Sequence, residues 1–216
     1  MENKNTKWVR TTRAGAFTLI ELLVVIAIIG IIAALLVNLA GPAAKGRKIA
    51  RVNAELNQLV TVIESYKAAK NFYPPSNANT NNAVTNQLFY ELTGTIYSEA
   101  NNEFQTINGS EKISPATVDS FFGAKGFVNS ATDRSEVKNY FPNLKAAQYA
   151  EISSNPDVEL LIVPVEGPND TPTPSGKKIN PWRYNSVNPV HNPDTFDLWA
   201  EIVIGGKTNI IGNWKE

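Results

Sequence analysis

The chain has 216 residues, 43% of them hydrophobic and 19% charged, with 20 Lys and Arg balanced by 20 Asp and Glu. That length allows one ordinary domain with attachments. Zero formal net charge leaves no global electrostatic footprint for nucleic acid. One His and no Cys exclude disulfide staples and leave zinc, haem-thiolate and Cys-nucleophile chemistry without ligands.

The chain opens with MENKNTKWVRTTRAGA, in which Lys4, Lys7, Arg10 and Arg13 face one acid, Glu2. From Leu22 to Val37 no residue has a polar side chain, and the wider window from Phe17 to Ala40 is interrupted only by Thr18, Glu21 and Asn38. As a helix that window measures ~36 Å, enough to span a bilayer. A removed secretory signal is the weaker reading, because the apolar run exceeds the usual ~7 to 15 residues and leads into Gly41-Pro42 and a Lys/Arg-rich segment. Charge counting does not orient an anchor, since Lys45, Arg47, Lys48 and Arg51 follow the span and match the basic residues before it. Glu21 is costly near the end of a span, up to ~3 kcal/mol, and marks a functional position ahead of a merely snorkelling one.

The run Gly15-Ala16-Phe17-Thr18-Leu19-Ile20-Glu21-Leu22-Leu23 and the apolar helix after it closely resemble the class III signal of type IV pilins and of the pseudopilins of type II secretion. The resemblance implies that a prepilin peptidase cuts between Ala16 and Phe17 and methylates the new amine. It also orients the chain, with the N-terminus toward the cytoplasm and the bulk outside the inner membrane. In a filament of packed helices, Glu21 would then pair with the Phe17 amine of a neighbouring subunit and set the register. Two departures stand out. The family usually has Gly directly before the cut, where this chain has Ala16 with Gly15 one residue earlier, so cleavage after Gly15 is the alternative. The helix-breaking Pro, often near the position of Asn38, is here Pro42, and Gly41-Pro42 should mark a kink or melted stretch, with Gly30 a weaker second candidate.

From Ala43 to about Lys70, the residues Ile49, Val52, Leu56, Leu59, Val60, Ile63 and Tyr66 recur at spacings of three and four and predict an amphipathic helix. Its basic cluster reads as lipid head-group contact and solvation in preference to a nucleic-acid patch. Asn71-Phe72-Tyr73-Pro74-Pro75 ends the helix, and the Asn-rich stretch from Ser76 to Asn86 reads as a loop. Tyr66, Tyr73-Pro74 and Gln87-Leu88-Phe89-Tyr90-Glu91-Leu92 resemble the pseudopilin arrangement after the helix. Between Thr93 and Ala150 the pattern is mixed, and Phe121, Phe122, Phe127, Tyr140 and Phe141 read as packing residues because basic residues are not interleaved among them. Val158 to Val163 predicts a strand, and Gly167 to Gly176 an exposed loop.

Near the C-terminus, Asn180-Pro181-Trp182-Arg183-Tyr184, Phe196-Asp197-Leu198-Trp199-Ala200-Glu201 and Ile210-Ile211-Gly212-Asn213-Trp214 resemble, in order, the DPWG, YDLYS and DIxNW features of the major pseudopilin. Relatives of that kind hold calcium in an acid-rich loop between the last two. Here Ile202 to Ile210 has no carboxylate and carries Lys207, so no calcium site and no other cofactor is expected. Asp194, Asp197 and Glu201 read as solvated acids. The alternation Phe196, Leu198, Ala200, Ile202, Ile204 predicts a half-buried strand, with Gly205-Gly206-Lys207 as a hairpin turn.

The expected fold is α+β and pilin-like: a long N-terminal transmembrane and amphipathic helix packed on a small antiparallel C-terminal sheet. Its divisions are a leader at 1–16, a membrane and polymerisation helix at 17–40, an amphipathic helix at 41–70 and a periplasmic head at 71–216. Gly15, Ala16 and Phe17 are the processing residues, and Phe17 and Glu21 the assembly residues. The resemblance implies a structural subunit of a type II secretion pseudopilus that drives protein export. Its partners would be further copies of itself, the prepilin peptidase, minor pseudopilins, the inner-membrane assembly platform and, before assembly, the lipid bilayer, with no nucleic acid. A surface type IV pilin for adhesion, motility or DNA uptake is the alternative, weakened by the missing Cys. An enzyme is not expected, because His191 stands alone beside Asn192-Pro193 with no catalytic motif around it.

Overall fold

The computed structural model describes residues 17–77, 83–154, 156–169 and 171–215, and their side chains except at 35–43 and 154. The expected leader, with Gly15 and Ala16, lies outside the described residues, as do 78–82 of the Asn-rich loop. The chain divides into two compact units, Met1–Ala44 and Lys45–Glu216.

One helix, α1, runs Leu19–Lys70 and contributes to both units. It passes through Gly30, Gly41 and Pro42 without a break, so the melted stretch expected at Gly41-Pro42 is absent. A single Pro cancels one i→i−4 bond, and the good helix formers on either side carry propagation past it. Among the described residues no helix is long and apolar enough to cross a membrane. The expected span at 17–40 draws also on 35–40, whose side chains are not described.

Within the second unit, Val52, Leu56, Leu59, Ile63 and Tyr66 form the buried stripe of α1, Val60 is half-buried and Ile49 is exposed. Each fully buried aliphatic side chain contributes about 1.5–3 kcal/mol. The helix ends where Asn71 turns left-handed, with φ 67, and donates its N–H to the Lys67 carbonyl at 2.8 Å.

Among the described residues the head carries three small sheets where one was expected. A short buried helix, α2 (Leu88–Thr93), leads into β1 (Thr95–Ser98), β2 (Glu103–Thr106) and β3 (Lys112–Ile113). Helix α3 (Pro115–Phe122) follows, capped by Ser114, whose Oγ accepts from the Thr117 N–H at 3.2 Å, and then β4 (Ser130–Ala131). The order is β3-β2-β1-β4, antiparallel apart from the parallel β1–β4 pair. These strands, two to four residues long, are too short for alternation to declare itself, which is why residues 93–150 read as patternless.

The second sheet joins β5 (Tyr149–Ser154), β6 (Asp157–Val163), β7 (Thr171–Pro172) and β8 (Lys178–Pro181) in the order β5-β6-β8-β7. β6 is the strand expected at 158–163, and β7 lies inside the expected loop. The third sheet is β9 (Arg183–Asn185), β10 (Asp197–Ile204) and β11 (Lys207–Gly212), with β10 central. Leu198, Ala200 and Ile202 of β10 are fully buried in one cluster with the α1 stripe, as their alternation predicted. Gly205 and Gly206 form the β10–β11 turn at φ 60 and 76, a conformation that a two-residue hairpin turn demands and that Gly adopts without strain.

Candidate processing and assembly site

The N-terminal motif starts α1 with a reciprocal cap. The Thr18 carbonyl accepts from the Leu22 N–H at 3.2 Å, making Thr18 the residue at which the helix begins. Its Oγ1 accepts from the Glu21 N–H at 3.3 Å, while its own N–H and hydroxyl both donate to Glu21 Oε2 at 2.8 Å. This is a capping box: Thr and Glu three residues apart satisfy two orphan donors of the first turn. The Thr18-Leu19-Ile20-Glu21 spacing was readable as such in the sequence, where the carboxylate drew attention only as a misplaced charge. Within a single chain, Glu21 therefore already has a structural task.

Beyond the cap, apolar side chains are exposed on every face. Phe17 is 81% exposed, and Leu22, Ile26, Ile29 and Ile32 are all more than half exposed. A folded monomer rarely leaves a contiguous apolar surface of this extent open to water. Such a helix is built to be covered by lipid or by other helices.

Residues 11–37 match the family model described as the prokaryotic N-terminal methylation motif. The chain carries a prepilin-type N-terminus. The match supports a type IV pilin-like protein, and it implies processing by a prepilin peptidase, membrane anchorage and later assembly into a filament. No curated protein and no solved structure matches the chain. An N-terminal helix followed by mainly antiparallel sheets is consistent with a pilin-like fold. Of the processing and assembly residues, the structure places Glu21 in the first turn of α1 and Phe17 just ahead of the Thr18 cap. It leaves Gly15 and Ala16 undescribed.

The C-terminal acids are not the solvated set that was expected. Asp194 is exposed, but Asp197 is 2% exposed. Its Oδ2 accepts from the backbone N–H groups of Val190 at 2.6 Å and His191 at 2.9 Å, and its Oδ1 from that of Asn192 at 2.9 Å. Asn213 completes the clasp: its Oδ1 accepts from the Leu198 N–H at 2.9 Å and its amide donates to the Phe196 carbonyl at 2.9 Å. His191 stacks on Trp214, with ring centres 3.9 Å apart and planes 5° from parallel. A Cβ at Gly212 would come within 2.6 Å of the Trp214 ring, so only Gly lets that ring lie down. Glu201 pairs with Arg183 at 3.3 Å.

These residues do not fit a calcium ion. Both Asp197 oxygens already receive N–H donors, which a cation would have to displace. Among the described residues no group of three or more acids or His could hold a metal. The loop from Ser186 to Thr195 is instead closed onto the hairpin by the Asp197 and Asn213 side chains.

Two further buried acids escaped the sequence reading. Glu91 of α2 is fully buried; its carboxylate accepts from the Tyr66 hydroxyl at 2.9 Å and from the N–H groups of Val128 at 2.7 Å and Asn129 at 2.9 Å. It ties α1, α2 and the approach to β4 together. Burial raises its pKa, and the hydrogen bonds from Val128, Asn129 and Tyr66 oppose that shift.

Glu159 of β6 is 5% exposed, faces Glu151 directly across the β5–β6 pairing, and has one buried oxygen, Oε2, without a hydrogen-bond partner. Burial first, then the charges of Glu111, Glu151 and Asp157, push its carboxyl up from the ordinary 4.5 to about 8. In this window the folded chain holds a proton that the unfolded chain has released. Glu159's contribution is thus fully present below about 4.5 and is lost as pH rises through about 8. Glu159→Gln, which mimics the protonated acid, is expected to change stability little at pH 4. At pH 9, after discounting for solvent screening, the gain should be ~2 kcal/mol. Thermal melts of both chains at the two pH values check it, and equal destabilisation at both would refute the assignment.

Proposed function

We propose that the chain is a structural subunit of a type II secretion pseudopilus. A prepilin peptidase cuts it before Phe17 and methylates the new amine. Residues 17–40 hold it in the inner membrane with its head in the periplasm. Polymerisation through the N-terminal helix then drives protein export, and a cytoplasmic ATPase supplies the work. The minor pseudopilins and the inner-membrane platform are its assembly partners, the head catalyses no reaction, and no nucleic acid is bound.

The observation that carries this reading is the N-terminal helix, where the methylation motif of residues 11–37 includes the capped first turn at Thr18–Glu21 and a following helix that exposes apolar side chains all round. Such a surface is stable only when lipid or neighbouring helices cover it. The choice of secretion over a surface pilus rests on the resemblance of the segments at Asn180–Tyr184 and Ile210–Trp214 to those of the major pseudopilin.

The first test is the mass of the N-terminal peptide from protein recovered in the membrane fraction of a host with its own prepilin peptidase. A peptide beginning at methylated Phe17 is expected. One beginning at Ala16 would move the cut to follow Gly15, and an intact Met1 would overturn the filament reading. Loss of protein export, with surface filaments unaffected, is expected when the gene is removed; the converse result would make the chain a surface pilin.

A further inference from the structure

At the start of the head, side-chain cations from four separate segments are brought together. α1 enters the second unit with Lys45, Arg47, Lys48 and Arg51, all exposed. From Lys45 to Arg51 is ~9 Å of helix. The Lys45 Nζ lies against the β10–β11 turn, only 2.9 Å from where a Cβ on Gly205 would stand, and exposed Lys207 leaves that turn. Farther along the helix, Arg51 lines a cleft of about 320 Å³ together with Lys177 and Lys178. Ile162 and Ile179 give this cleft an apolar lining, and Glu166 is the acid that lines it. Lys145 acts electrostatically on Glu55, the ion-pair partner of Arg51 at 3.5 Å. Among the residues that line the cleft, Arg51, Lys177 and Lys178 stand against Glu166.

We propose that this end of the head is a docking surface for anionic phospholipid headgroups, with the cleft between Arg51, Lys177 and Lys178 seating one lipid phosphate. The inference rests on the membrane-held stage of the proposed function. Three observations converge on lipid as the occupant. The basic end follows in sequence directly from the apolar helix, which delivers it to a bilayer surface. Its charge is complementary to anionic headgroups. The cleft combines cations with apolar walls, which suits the phosphate and the first carbons of an amphiphile better than it suits a free ion. The α1 cations alone would anchor the helix. Lys177, Lys178 and Lys207, supplied by the folded head, would also fix which way the head faces.

The test uses the full chain, whose lack of Cys lets a single introduced thiol be labelled uniquely. Thr208→Cys, exposed and beside the hairpin turn, carries a fluorophore, and the protein is reconstituted into nanodiscs doped with a headgroup-attached quencher. In mixed phosphatidylcholine and phosphatidylglycerol, quenching is expected to be roughly twofold stronger than in phosphatidylcholine alone, and to fall back at high salt. Lys177→Glu with Lys178→Glu should abolish the difference; Lys177→Gln with Lys178→Gln, a milder pair, should reduce it if the first does not fold. Quenching that ignores lipid charge, or that survives both pairs, overturns the docking surface while leaving the membrane-held stage intact. A chain that fails to co-purify with nanodiscs of either composition overturns both.

Discussion

Glu21→Gln is expected to leave the protein in the membrane with its first helical turn intact and to yield no filaments. The capping box explains why this substitution separates two roles that Glu21→Ala would confuse. A Gln side chain at the third helical position still accepts from Thr18, so the ~1 kcal/mol that such a cap contributes is largely kept. The charge is gone, and with it the proposed pairing to the Phe17 amine of a neighbouring subunit. Between packed apolar helices an unpaired ammonium costs several kcal/mol. Loss of assembly should therefore be near complete, read by electron microscopy and by the sheared-filament fraction. Thr18→Val is the counterpart: it weakens the cap, keeps the charge and should still assemble. If Glu21→Gln assembles normally and Thr18→Val does not, the carboxylate matters only as a cap, and the ion-pair role falls.

Asp197→Ala should destabilise the head by about 3–4 kcal/mol, because it removes the acceptor of three backbone N–H groups in a partly buried loop, where each lost partner costs ~1–3 kcal/mol and water repairs only some of them. The loop from Ser186 to Thr195 would then lose its tether to β10, and the His191–Trp214 stack would separate. Asp197→Asn should cost about half as much, since one oxygen remains to accept. Urea unfolding followed by tryptophan fluorescence measures both. Calcium is not expected to rescue either variant, because the carboxylate serves donors and not a cation. A loss below ~1 kcal/mol for Asp197→Ala would show that the loop is held by its aromatic contacts and not by the clasp.

Much of this was legible from local spacing. The recurrence of Val52, Leu56, Leu59, Ile63 and Tyr66 marked the buried stripe of α1, and the alternation from Phe196 to Ile202 marked the inner face of β10. Each pattern repeats with the period of the element that forms it. The capping box is equally local, a Thr and a Glu three residues apart. Pro42 misled in the opposite direction, since a strong local signal for breaking a helix was outweighed by the helix formers on both sides.

Hydrophobic content and the residues from Gly15 to Leu23 determined by themselves that the chain begins with a prepilin-type signal and a helix needing cover, because that information lies in consecutive side chains. Only the tertiary structure decided the fate of the buried acids. Glu91 meets Tyr66 from 25 residues away and Asn129 from 38, and Glu159 meets Glu151 across a hairpin. Asp197 finds its donors in a loop that offers three backbone N–H groups and the Asn192 side-chain amide. A carboxylate reads the same in sequence whether water, a cation or a cage of N–H groups surrounds it. The surroundings are set by which strands pair and where the chain turns back, and those are properties of the folded chain as a whole.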